Sequence, residues 1–212
     1  MYYLSVKFYN NTMSLHKYLN DAINVLNSAK LYLTQPKWLT IYNKDGTLVH
    51  KKDFNDISSI SCFILQKNIA KPKMELVNKI WNVDENIVKK NDPEIKLWKK
   101  IEEGDYWKVC YQINSTPFPI WNRDLSFVQT QLEENNIIWL VAYSIEHPNI
   151  PLQPNNYVRA NIIMSIWKFV EIDKNNTEVT RIIHVEPKGN IPAFFINSSI
   201  DKHIKLLENL EK

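Results

Sequence analysis

The sequence predicts an α+β fold: one large antiparallel sheet with a long helix near each end of the chain. Three observations predict it. Apolar residues recur at three- and four-residue steps over long stretches near the two termini. Between residues 107 and 186 the apolar period changes to two, through several consecutive segments. The connections at 133–136 and 173–176 are short, so the segments they join pair as antiparallel neighbours.

The first helix follows from Leu15, Tyr18, Leu19, Ala22, Ile23, Leu26, Ala29 and Leu33, with Ser14 to cap it and Pro36 to stop it. A strand runs from Trp38 to Tyr42, Asp45-Gly46 makes a turn, and Leu48-Val49 resumes. Ile57–Ala70 reads as a long strand. Pro72 opens a short helix with Met74, Val77 and Trp81 on one side, and Pro93 opens another with Ile95, Trp98 and Ile101. Trp107, Val109, Tyr111 and Ile113 then alternate with more polar residues. Four further strands follow, at Asp124–Leu132, Ile137–Ile145, Val158–Ile172 and Thr177–Glu186. The Ile137–Ile145 run is apolar on both faces, as a strand covered on both sides would be. Pro192 opens a final helix to Lys212, striped by Ile196, Ile200, Ile204, Leu207 and Leu210. A long twisted sheet curling around one helix can leave space between them.

Composition narrows the function classes. The 212 residues suit one domain, 1–212, with 1–13 as a lead-in. The net charge of +3 is too small to make nucleic acid a partner. Only Gly46, Gly104 and Gly189 occur, so no glycine cluster exists to cradle a phosphate or a dinucleotide. Cys62 and Cys110 sit in apolar stretches and read as buried thiols. The histidines, His16, His50, His147, His184 and His203, show no metal-pair spacing, so neither metal nor cofactor is expected. No signal-like or membrane-spanning apolar run is present, which points to a soluble cytoplasmic protein. The acidic pairs Asp84-Glu85, Glu102-Glu103 and Glu133-Glu134 read as solvated charge. His184 alternates with Ile182 and reads as a hydrogen-bonded core or cavity histidine rather than a catalytic base.

Arg123-Asp124 is more informative. Neighbours on a strand point to opposite faces, so one of the two faces inward beside Pro117–Trp121 and needs a partner. Arg159, at the start of a later apolar run, is the candidate, and Arg123, Asp124 and Arg159 together read as a structural ion pair.

These residues resemble a known pattern. Pro117-Phe118-Pro119-Ile120-Trp121-Asn122-Arg123-Asp124 is similar to the "P…NRD" signature of START (StAR-related lipid-transfer) domains, with wording closest to the phosphatidylcholine-transfer branch. Tyr157-Val158-Arg159-Ala160 resembles the family's "VRA" strand start. Val185–Pro192 resembles its "D-x-K-G-x-I-P" turn into the last helix, with Glu186 for the usual Asp, and Ile191–Asn197 fits "IPxxxxN". The three motifs stand in order, and the resemblance covers residues 14–212.

The resemblance implies a helix-grip fold: a curved antiparallel sheet wrapped around the C-terminal helix, enclosing a hydrophobic lipid tunnel. It implies binding of one phospholipid, sterol or sphingolipid molecule and its transfer between membranes, by a monomer touching membrane surfaces transiently. The branch's phosphate-binding arginine aligns near Val88, with Lys89 beside it; two choline-cage tyrosines align with Leu125 and Ile163, and an arginine of other members with Gln129. The aromatic headgroup cage is therefore not reproduced, leaving Trp107, Tyr111, Trp139 and Trp167 as aromatic candidates. The expected tunnel wall is Leu125, Phe127 and Gln129 on one strand and Asn161, Ile163, Ser165 and Trp167 on another. Ile196, Ile200 and Ile204 cover it from the final helix. Two alternatives stand beside transfer: a lipid sensor or adaptor, and an enzyme on the same grip using His184.

Overall fold

The structure, a computed structural model, describes residues 13–189 and 193–212. It begins with α1 (Met13–Thr34), followed by β1 (Leu39–Lys44), β2 (Thr47–Lys52) and β3 (Cys62–Ile69). Next come α2 (Lys73–Trp81), α3 (Glu85–Asn91), β4 (Ile95–Gly104), β5 (Trp107–Asn114), β6 (Arg123–Glu134) and β7 (Ile137–Ser144). The chain ends with β8 (Val158–Arg159), β9 (Asn161–Asp173), β10 (Asn176–Glu186) and α4 (Ala193–Asn209). Pro192 and the lead-in to residue 12 lie outside the described residues, as do the side chains of Ser14, Leu15 and Ile196.

All ten strands form one sheet in the order β1-β2-β3-β10-β9-β7-β6-β5-β4, with β8 attached to β6. Every neighbouring pair is antiparallel except β6 with β8. Tight hairpins set much of this register. Asp45 and Gly46 take φ of 50° and 72°, and Asn135 and Asn136 take 52° and 62°. Both central residues at positive φ is the two-residue turn that matches strand twist, and Asn, Asp and Gly tolerate it best.

The sheet carries a helix on each face, the α+β helix-grip arrangement. On one face α1 packs Leu19, Ala22, Leu26 and Ala29 against Val109, Val128, Val141, Ile166 and Ile182. Ala22 and Ala29 stand two turns apart and let the helix approach closely. On the other face α4 packs Ile200, Ile204, Leu207 and Leu210 against Leu65, Leu140, Phe169 and Val179. β7 lies mid-sheet and feeds both layers, with Trp139, Val141 and Tyr143 toward α1 and Ile138 and Leu140 toward α4. Its doubly apolar sequence is thereby explained.

Three elements differ from the sequence reading. The segment after Pro93 is a strand, β4, not a helix. Its register shifts at Ile95/Leu97 and again at Lys100/Glu102. The first bulge adds one residue to a repeat of two, so Ile95 and Trp98 share a face at helical spacing, while Ile101, the extra residue of the second bulge, packs on the α1 side. The helix lies just upstream instead. Asp84 caps α3, its carboxylate accepting from the Ile87 amide at 2.8 Å. The long strand expected from Ile57 begins only at Cys62, because Ile57 and Ser58 both turn back onto the Phe54 carbonyl. The run from Val158 divides at Ala160, so that β8 pairs with β6 while β9 pairs with β7 and β10.

Candidate functional site

Alternation sends Leu125, Phe127 and Gln129 of β6 to the α4 side of the sheet, with Ser165 and Trp167 of β9 and Val179, Arg181, Ile183 and Val185 of β10. Both sides hold sealed and partly accessible residues: Tyr111 at 9%, Ile113 at 8% and Tyr143 at 6% face α1, while Cys110 and Leu140 on the α4 side are 0% exposed. Val109, Val128, Val141, Ile166 and Ile182, against α1, are all 0% exposed. Leu125, Phe127, Ile162 and Ile183, from the same mid-sheet strands, keep 8% each. Gln129, Ser165 and Val185 are only half-buried. We take the region between these side chains and α4 as the candidate hollow of this domain.

The hollow tapers. Along β10 exposure falls from Ile183 at 8% through Arg181 at 7% to Val179 at 0%; on β9 it rises from Ile162 at 8% to the half-buried Ser165 before falling through Trp167 at 4% to Phe169 at 0%. At the closed end Leu207 packs solidly against Leu65, Ile69, Leu76 and Val77. One turn earlier on α4, His203 is half-buried; burial first, then Arg181 and Lys202, lower its pKa to about 3.

The expected wall residues divide. Leu125, Phe127, Gln129, Ser165 and Trp167 share the side of the sheet that Ile200 and Ile204 of α4 cover. Val88 reaches its rim from α3, packing on the cluster of Trp98, Cys110, Leu125 and Phe127. Ile163 does not join them. Val185 pairs with Ile162 and His184 with Met164, so Ile163 is the extra residue of a β-bulge. Ile163 therefore packs on the α1 side, and Ile162 takes the place expected for it. Asn161, one residue before Ile162, takes the opposite face as well. Of the four aromatic candidates only Trp167 borders the hollow; Trp107, Tyr111 and Trp139 belong to the α1 side.

The ion pair is smaller than the three residues suggested. Arg159 donates to Asp124 through Nε at 3.0 Å and Nη2 at 2.8 Å. Tyr111 Oη adds a third bond to Asp124 at 3.2 Å; burial first, and then Asp124, push its pKa up to about 12. Arg123 takes no part. Its guanidinium donates to the carbonyls of Trp121, Pro187 and Lys188, tying the end of β6 to the turn before α4. Its own backbone hydrogen bonds leave it on the face away from Asp124, as alternation requires.

With this geometry in hand, comparison with known proteins is direct. The START domain family model matches residues 19–206. The chain belongs to the START domain family. Among curated relatives, START domain-containing protein 10 of mouse and of human are each 28% identical over 91 residues. That match covers 43% of this chain and 31% of each relative's length. The crystal structure of human STARD10 superposes with a TM-score of 0.74 at 19% identity, covering 89% of this chain and 77% of that one. Human StAR-related lipid transfer protein 5 gives 0.76 at 16% identity, covering 91% and 94%. At these identities the likeness is one of fold.

Two polar groups escaped the sequence reading of this START domain's interior. Arg181 and His203 both face the hollow, and the signal for Arg181 was present: it alternates with Val179, Ile183 and Val185 in an otherwise apolar strand. His184 lies on the opposite face. It is fully buried between the rings of Tyr32 and Phe54, at 5.8 and 5.7 Å, and its ring nitrogens make no hydrogen bond. Burial lowers its pKa, against a weaker pull from the Ile60 backbone and Glu186. It is thus a core histidine rather than a cavity one. Among the described residues no three His, Cys, Asp or Glu side chains are placed to hold a metal. A separate groove of about 280 Å³ lies between Trp81, Asp84, Glu103, Trp107 and Lys108. That is just under the roughly 300–1,000 Å³ of small-ligand sites, so it is no berth for a lipid.

Proposed function

We propose that this START domain holds one lipid, a phospholipid, sterol or sphingolipid, in the hollow under α4 and carries it between membranes. The single observation that carries this reading is the set of apolar side chains on the α4 side, Leu125, Phe127, Ile162 and Ile183, that keep 8% exposure each beneath a covering helix. The name of human StAR-related lipid transfer protein 5, which shares the fold, supports it.

The physics favours such a carrier. Each methylene exposed to water costs about 0.8 kcal/mol. A sixteen-carbon chain leaving a bilayer bare therefore costs on the order of 12 kcal/mol. A dry apolar hollow removes most of that penalty. Polar groups inside it are few (Gln129, Ser165, Arg181 and His203), as suits a site where a handful of groups set orientation.

The same end of the sheet carries apolar side chains in water. Phe118 is 97% exposed, Trp121 54% and Leu152 67%. Their loops adjoin, because Arg159 Nη2 donates both to Asp124 and to the Pro151 carbonyl. Arg123 joins this end to the turn before α4. Aromatic residues favour the bilayer interface, so this tip is the membrane-facing end of the carrier. No described helix is long and apolar enough to cross a membrane.

The test is extraction of the purified protein followed by mass spectrometry, with transfer of labelled lipid between vesicles. Bound lipid and accelerated transfer are expected. Empty protein together with the spontaneous transfer rate would refute the reading.

A further inference from the structure

Arg181 is the least satisfied group in the hollow. It sits mid-sheet on β10, opposite Trp167 on β9 and Leu65 on β3, and is 7% exposed. Nη2 donates to Ser165 Oγ at 2.6 Å, and the guanidinium lies 4.7 Å from the centre of the Trp167 ring. Among the described residues Nε and Nη1 have no partner. All 23 acidic residues lie among the described residues, and none forms an ion pair with it. Burial alone, with no carboxylate opposing it, lowers its pKa to about 9. An unpaired buried cation is strongly unfavourable unless something supplies the missing charge and acceptors.

The surroundings say what that would be. Ser165 and the Trp167 ring hold the guanidinium in place, so its open N–H groups are preset. A guanidinium edge presents two parallel donors, which match two oxygens of one phosphate or carboxylate. His203 on α4, whose pKa Arg181 helps to lower, is held neutral at ordinary pH and adds no second positive charge beside the guanidinium. A sterol, or a diacylglycerol, has no anionic oxygens to offer.

We propose that Arg181 is the anchor for an oxyanion of the cargo, a phosphate or a carboxylate, so that the lipid lies head-first toward the closed end of the hollow. The proposal rests on the carrier reading above and deepens it by naming the cargo's chemical class. It also relocates the anion site. By sequence resemblance such an arginine belongs near Val88, on α3 at the rim; here the interior cation comes from β10 instead.

The experiment uses the full chain, stripped of lipid and incubated with vesicles holding equal mole fractions of phosphatidylcholine, phosphatidate, cholesterol and diacylglycerol with the same acyl chains. Parallel vesicles carry oleate in place of phosphatidate. Bound lipid is read by extraction and mass spectrometry. The expected result is at least a tenfold enrichment of an anion-bearing lipid over diacylglycerol, with the oleate arm separating carboxylate from phosphate. Arg181→Met should bring that ratio close to one, and Arg181→Lys, which keeps the charge but loses the fork, should give an intermediate value. Uptake of diacylglycerol or cholesterol by the wild type as readily as of any anionic lipid would overturn the anchor and leave the carrier standing. So would an unchanged ratio in Arg181→Met. The wild-type ratio decides even if a variant fails to fold. No uptake of any lipid would overturn both readings.

Discussion

Asp124 accepts both Nε and Nη2 of Arg159, and this two-bond pair joins β6 to the short parallel strand β8. The side chain of Asp124 is 2% exposed and that of Arg159 16%. The two partners therefore differ in how much each would suffer alone. Arg159→Met strands a buried carboxylate, and a loss of about 3–5 kcal/mol is expected for a broken buried pair. Asp124→Asn leaves a cation that can still reach water and the carbonyls of Ile150 and Pro151, so its loss should be smaller. Urea unfolding of both variants and of the double variant checks the order.

The hollow makes opposite predictions for two adjacent residues. Val141 is fully sealed against α1, and Val141→Phe should overpack it and lose about 1–3 kcal/mol. Ala142 points to the other face, beside Leu125, Phe127 and Ile162. Ala142→Phe should cost little stability but reduce lipid uptake, since the ring takes space meant for cargo. Thermal melting and lipid extraction on the two variants separate the faces; equal destabilisation would mean there is no free room beside Ala142.

His203 predicts a pH dependence. Its folded pKa of about 3 lies below its ordinary 6.5, so the unfolded chain binds the extra proton first. The contribution is complete above about pH 6.5 and declines as pH falls toward 3. His203→Gln should flatten that part of the stability profile, measured as the urea midpoint at pH 7 and pH 5.

The exposed tip predicts a kinetic effect. Phe118 makes almost no contact with the rest of the protein. Phe118→Asp should leave the melting temperature unchanged and slow transfer between vesicles several-fold. Stopped-flow transfer of a fluorescent lipid is the measurement, and an unchanged rate would remove Phe118 from the membrane contact.

Much of this was legible in the sequence, and the failures have common causes. The long helices, the strands after Trp107 and the shared faces of Leu125 with Phe127 and of Ser165 with Trp167 follow from periodicity alone; which face looks to α4 does not. Periodicity fails where a bulge inserts one residue: after Pro93 it turned a strand into an apparent helix, and at Ile163 it exchanged the two faces. The cap at Asp84 was visible, but a carboxylate beside Glu85 reads equally well as surface charge. The Asp124–Arg159 pair was foreseen, whereas Arg123 satisfies carbonyls, which no residue pattern announces. Arg181 was hidden for a different reason. A lone arginine in a strand is read as solvent-facing, and only the sheet order shows that both its neighbours are interior strands.

The close fit of α1 to its side of the sheet has a consequence for the working cycle. A carrier must survive the interval between delivering one molecule and collecting the next. In the carrier proposed above, the α1 layer lies across the sheet from the cargo, so its packing does not depend on the cargo being present. The opposite face is then free to exchange contents without putting the architecture at risk.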